Sequence, residues 1–194
     1  MNKLWQRKLL VLCLAVAGLN LCAKVTHTNA APQEPAGALI VTGRVQVDGK
    51  VVNSGDTLSS GATVTTAKNS SAVVSLGKLG RVEVFPESTL VLSFTETGMT
   101  AHSRNGNLQI AQLSSFTASV LTDDGEVVAD GGQANTFTVN TRCGNTVVST
   151  QSGRVEMRAG GEVKQVPAGS QASVGKVKPE RCKTGSTMKS SGRG

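Results

Sequence analysis

The sequence predicts an all-β protein built from many short strands, arranged as a β-solenoid-like stack or as a two-sheet roll or sandwich. Three observations carry this. Stretches of period-two alternation recur along the chain, turn residues separate them, and no segment of the body holds helical spacing. Gly, Ser, Thr and Val dominate, which suits strands joined by tight turns.

The alternating stretches are Arg44-Val45-Gln46-Val47, Arg81-Val82-Glu83-Val84-Phe85, Thr89-Leu90-Val91-Leu92, Leu108-Gln109-Ile110-Ala111, Thr136-Phe137-Thr138-Val139 and Arg154-Val155-Glu156-Met157. Successive side chains of a strand face opposite ways, so each stretch presents one apolar face to a core. The breaks fall at Asp48-Gly49, Ser54-Gly55-Asp56, Asn105 to Asn107, Asp124-Gly125, Asp130 to Gly132, Cys143-Gly144-Asn145, Ser152-Gly153 and Gly160-Gly161, residue types that accept the backbone of tight turns. The pattern predicts about a dozen strands of roughly four to seven residues. Strand, Gly turn and strand return at steps of roughly 10–15 residues, as coils of a stack would.

Before this body stands an export signal. Residues 1–8 hold three positive charges, Leu9 to Ala23 form an apolar run, and small residues follow at Thr28-Asn29-Ala30-Ala31. That order predicts a signal helix over 1–30 with cleavage after Ala30. The apolar run is shorter than the ~20 residues of a spanning helix. An uncleaved membrane anchor and a lipoprotein modified at Cys22 are the rival readings, the latter disfavoured by Leu21 before the cysteine. All three place the body outside the cytoplasm. Residues 31–38 read as a linker, 39–175 as the β-domain and 176–194 as a flexible tail.

The formal charge of +7 does not describe the body. Residues 31–175 hold ten bases and twelve acids, and the whole positive excess sits at the two ends. The tail carries Lys176, Lys178, Arg181, Lys183, Lys189 and Arg193 against Glu180, with too few apolar residues to fold alone. It reads as solvated and disordered, or as an electrostatic tether to phospholipid head groups, lipopolysaccharide or another protein. A nucleic-acid partner is not expected from an acidic body. The chain also has no Tyr, its one Trp is Trp5, and it has four Phe, so aromatic platforms for bases are scarce.

Of the four cysteines, signal removal takes Cys13 and Cys22 and leaves Cys143 and Cys182. In an oxidising compartment a Cys143–Cys182 disulfide is expected, closing a loop of about 40 residues worth roughly 3–4 kcal/mol. Two unpaired thiols are the alternative. The spacing supports neither a thioredoxin-like nor a zinc site.

No constellation for chemistry emerges, and no cofactor is expected. Asp123, Asp124, Glu126 and Asp130 cluster without the spacing of an EF-hand loop, and hairpin turns account for them. Gly77-Lys78-Leu79-Gly80-Arg81 lacks the spacing of a phosphate loop and reads as a basic turn. His102 has no nucleophile in a strained elbow beside it and reads as a surface histidine. Asn69-Ser70-Ser71 fits the glycosylation acceptor pattern, a triplet frequent by chance. The chain is therefore expected not to be an enzyme.

The ordered pieces resemble the FecR-type periplasmic domain. They are Gly43-Arg44-Val45, then Ser54-Gly55-Asp56-Thr57-Leu58 with Ser60-Gly61, Ser71-Ala72-Val73-Val74-Ser75-Leu76, Gly80-Arg81-Val82-Glu83-Val84 and Pro86-Glu87-Ser88-Thr89-Leu90. After Asn105–Ile110 come Phe137-Thr138-Val139-Asn140-Thr141, Gly153-Arg154-Val155-Glu156-Met157 and Val166-Pro167-Ala168-Gly169-Ser170-Gln171. The series covers about 39–175, and its specificity lies in the order, since each motif alone is common in β-proteins. A Gly-Thr-containing strand usual in the family is compressed here into Cys143–Gln151. The family's regulators carry a cytoplasmic anti-sigma segment, whereas eight residues precede the apolar run here, so direct action on a cytoplasmic sigma factor is not expected.

The resemblance implies an exported, periplasmic or secreted, non-catalytic binding or scaffold module of the cell envelope that contacts a protein or glycan. A structural component of a surface or secretion assembly and a membrane-anchored envelope sensor are the alternatives. Weak electrostatic contact with an anionic membrane surface would come from the tail.

Overall fold

The computed structural model describes residues 35–129, 131–142 and 144–175. The signal helix, both cysteines of the expected disulfide and the six basic residues of the tail lie outside the described residues.

Among the described residues sixteen strands form, more than the dozen or so expected, and they run from three to fifteen residues rather than roughly four to seven: β1 (Ala36–Thr42), β2 (Val45–Val47), β3 (Lys50–Val52), β4 (Thr57–Ser59), β5 (Ala62–Thr66), β6 (Ser71–Ser75), β7 (Gly80–Val84), β8 (Thr89–Phe94), β9 (Gly98–Gln112), β10 (Thr117–Leu121), β11 (Glu126–Ala129), β12 (Asn135–Arg142), β13 (Asn145–Ser152), β14 (Arg154–Ala159), β15 (Glu162–Pro167) and β16 (Gln171–Gly175). One 3₁₀ turn, Gly77–Leu79, precedes β7. All six alternating stretches of the sequence fall on strands, apart from Arg44 and Phe85 at their ends, and the alternate apolar members Val45, Val82, Val84, Leu90, Leu92, Leu108, Ile110, Phe137, Val139, Val155 and Met157 are buried.

The strands hydrogen-bond into one continuous sheet that divides into two ladders. The first runs β4-β1-β6-β7-β9-β12-β13-β16 and the second β3-β2-β5-β8-β9-β10-β11-β14-β15. Only β9 belongs to both. Its residues from Gly106 to Gln112 pair with β12, and those from Met99 to Asn105 pair with β8. Inward residues of both ladders form a single core cluster. Leu39, Val74, Ile110, Phe137 and Val148 come from the first ladder, and Val64, Leu92, Ala101, Val120 and Met157 from the second. The inner faces therefore pack on each other, as in a two-sheet roll.

The all-β class expected from the sequence is formed, as a mixed sheet in which every strand pair but one is antiparallel. The β9–β10 pairing is parallel (Thr117↔Gly98 to Leu121↔His102), because the chain leaves the second ladder through the far half of β9 and returns beside its own start.

Three further details differ from the sequence reading. Asn105 to Asn107 is not a turn but the crossing point inside β9, where Gly106 adopts φ +122° and a Cβ would run into Ser88. Its polar residues are the ones a turn would use, and the crossing needs the same backbone freedom. Second, the compressed region holds a strand of its own from Asn145 onward, since β13 forms a hairpin with β12 from Arg142↔Asn145 to Thr136↔Ser152. Third, Ala36-Gly37-Ala38, assigned to the linker, already pairs with β4. Gly37 is buried, and its missing side chain lets Val74, Leu76 and Leu58 close over it.

Candidate functional site

Strand β14 alternates Arg154, Val155, Glu156, Met157 and Arg158. Val155 and Met157 point into the core, so the three charged residues share the outer face. Register brings neighbours to them. Arg158 stands between Glu126 of β11 and Val163 of β15, and Glu156 stands between Val128 and Gln165. With Gly132 and Gln133 these strands enclose a groove of about 390 Å³, lined by Val128, Arg154, Glu156, Arg158 and Gln165.

The groove's polar groups are largely committed to one another. Glu156 Oε2 accepts from Arg158 Nη2 at 2.7 Å and Nε at 3.2 Å, and its Oε1 accepts from Gln165 Nε2 at 2.7 Å. Arg158 Nη1 also lies 4.0 Å from Glu126 Oε2. The hydrogen bonds from Arg158 and then Gln165 hold the Glu156 carboxyl below its ordinary range, and the same pair raises Arg158. Glu156 is thus a fixed negative charge at neutral pH rather than a proton donor. Arg154, by contrast, has no side-chain hydrogen bond or ion pair among the described residues, which leaves its planar fork of donors free for a ligand's hydroxyl, amide or carboxylate oxygens.

The loops beneath the groove are tied together by buried amides. Asn135 donates from Nδ2 to the Gln133 carbonyl at 2.9 Å and to Gln112 Oε1 at 3.1 Å, and its Oδ1 accepts the Arg154 N–H at 2.8 Å. Gln112 in turn donates to the Phe116 carbonyl. Asn135 and Gln112 are almost fully buried, so the bond between their amides is made away from water, while the bonds to Gln133, Phe116 and Arg154 are half-buried.

The remaining candidate residues lie elsewhere, on strands and turns. Asp124 Oδ2 accepts from Thr146 Oγ1 at 3.0 Å, linking the β10–β11 turn to β13, while Glu126 faces Arg158, so these acids do not converge. Asp130 lies outside the described residues. Among the described residues no group of three or more His, Cys, Asp or Glu could hold a metal ion. His102 is a half-buried residue of β9, set between Val91 and Leu121 in register. Lys78 is exposed in the 3₁₀ turn, and a strand rather than a helix follows it. Asn69 is exposed, but Ser70 behind it is buried and its Oγ accepts the Arg44 N–H at 2.9 Å. Among the described residues no helix is long and apolar enough to cross a membrane.

Sequence reading placed Arg154 and Glu156 on a strand but did not find the groove. The signal was the Arg-x-Glu-x-Arg alternation of β14; Gln133 and Gln165 join it only through register and loop position.

The fold and groove define an all-β, two-ladder domain with a polar concave surface. Two crystal structures described as "a putative anti-sigma factor from Parabacteroides distasonis" share this fold, with TM-scores of 0.51 and 0.50 at 15% and 17% sequence identity. The alignments cover 58% of this chain and 54% of each crystallised chain, so the chain spans about half the length of those structures. No family model and no curated protein matches the chain.

Proposed function

We propose that the chain is an exported, non-catalytic FecR-like module of the cell envelope that binds a protein or glycan partner. The observation that carries this reading is the outer groove. Arg154 offers free donors beside Gln133, Gln165 and a carboxylate already saturated by Arg158, an arrangement suited to holding polar groups and not to moving a proton. The FecR-type series supports it, because its pieces fall in order on β2, β4, β6, β7, β8, β12, β14 and β15. Likeness of fold to structures described as an anti-sigma factor favours one second reading, a membrane-anchored envelope sensor with residues 1–30 as the anchor.

The test is a photo-crosslinking residue placed at Gln133 or Gln165 in cells exporting the full chain. The binding module is expected to yield one stoichiometric adduct, reduced by Arg154→Ala. Crosslinks into a large sedimenting assembly would support the structural alternative, and crosslinks from unrelated faces only would remove the groove from the reading.

A further inference from the structure

Strand β15 ends the second ladder. It pairs with β14 on one side, and no described strand pairs with its other side. Its residues Glu162 to Gln165 are all exposed, and Val163 is 58% exposed. An open edge carrying an exposed β-branched residue invites another strand.

The sequence of that edge is self-complementary. Lys164 lies opposite Met157 and Val166 opposite Val155, both core residues, so Glu162, Lys164 and Val166 belong to the inner side of the strand and Val163 and Gln165 to the outer. A two-fold axis perpendicular to the sheet preserves these sides, so a residue must sit on the axis. With Glu162 on the axis it would oppose its own copy, and with Lys164 on the axis that residue would do the same. With Val163 on the axis, each Glu162 opposes the other copy's Lys164, and the two valines cover each other. Opposite charges across a ladder stabilise it and like charges destabilise it. Pro167 lacks an N–H and halts extension of the seam. At the ladder's other end, β3 (Lys50–Val52) has one charge and no such pairing.

We propose that β15 is a self-association edge, along which two copies of this chain pair antiparallel about Val163. The seam spans only a few residues, well short of the 1,200–2,000 Å² or so of a stable interface, so the association is weak and reversible. It stands independently of the groove's ligand.

Sedimentation equilibrium of the exported chain, over a concentration series reaching the millimolar range, tests this. The wild type is expected to form dimers. E162K and K164E each turn both symmetry-related attractions into repulsions and should weaken dimerisation roughly tenfold. The double variant E162K/K164E should recover it, and an equimolar mixture of the two single variants should form mixed dimers. Circular dichroism confirms that each variant is folded. A wild type that stays monomeric throughout, single variants that dimerise normally, or a double variant no better than either single one would overturn the pairing.

Discussion

The Asn135 side chain, at the start of β12 in one ladder, accepts the backbone N–H of Arg154, at the start of β14 in the other, at 2.8 Å. Gly153 makes this approach possible. It sits at φ +78°, and a Cβ there would collide with the Asn135 amide and the Ala134 carbonyl. The residue with free donors in the groove is thus positioned by a buried amide from the opposite layer.

Asn135→Ala should therefore lower stability by about 1–3 kcal/mol, because it takes this partner from the buried Gln112 amide oxygen and from the half-buried Arg154 N–H. Urea unfolding is expected to show a lower midpoint with an unchanged slope. Binding through the groove should weaken as well, since Gln133 and Arg154 lose their common anchor.

A second expectation concerns the crossing in β9. Gly106→Ala places a methyl against Ser88 in a backbone region that side chains rarely adopt, and should cost about 2–4 kcal/mol. Ser88→Ala removes the hydroxyl that accepts the Asn107 N–H at 2.8 Å and should cost less, about 1–2 kcal/mol. Thermal melting of the two variants side by side checks the order.

The Glu156 carboxyl predicts a pH dependence whose sign is fixed. Its folded value lies below its ordinary one, so its stabilisation is present above the ordinary glutamate range and is lost as the pH falls through the lowered value. Between about pH 5 and pH 3 the wild type should lose stability more steeply than Glu156→Gln. The group is solvent-exposed and the difference is correspondingly small. Denaturation midpoints at several pH values measure it, and equal slopes would detach Glu156 from the effect.

The ends of the chain are tested by mass and melting. If the proposed export with cleavage after Ala30 and the Cys143–Cys182 bridge hold, the protein recovered from the envelope should have the intact mass of residues 31–194 less two hydrogens. Cys143→Ser should lower the melting temperature under oxidising conditions and leave it unchanged under reducing ones. A mass that keeps the N-terminal residues or carries a lipid would point to an anchor instead.

By itself the sequence determined the fold class, the strand-forming stretches and the inward residues. Alternation is a local property: Val82 and Val84, or Phe137 and Val139, fall on one side of a strand whatever the strand pairs with. Tertiary structure alone decided what stands beside what. The turn chemistry of Asn105-Gly106-Asn107 is equally the chemistry of a strand changing ladders, and only the pairing of β9 with four neighbours distinguishes them. Ladder register likewise set Gln165 against Glu156, and a buried amide brought Gln133 near Arg154, residues whose separation along the chain carries no sign of contact. Local periodicity is written in one segment, whereas a groove is written in the relation of several, and that relation exists only once the two layers close on their common core.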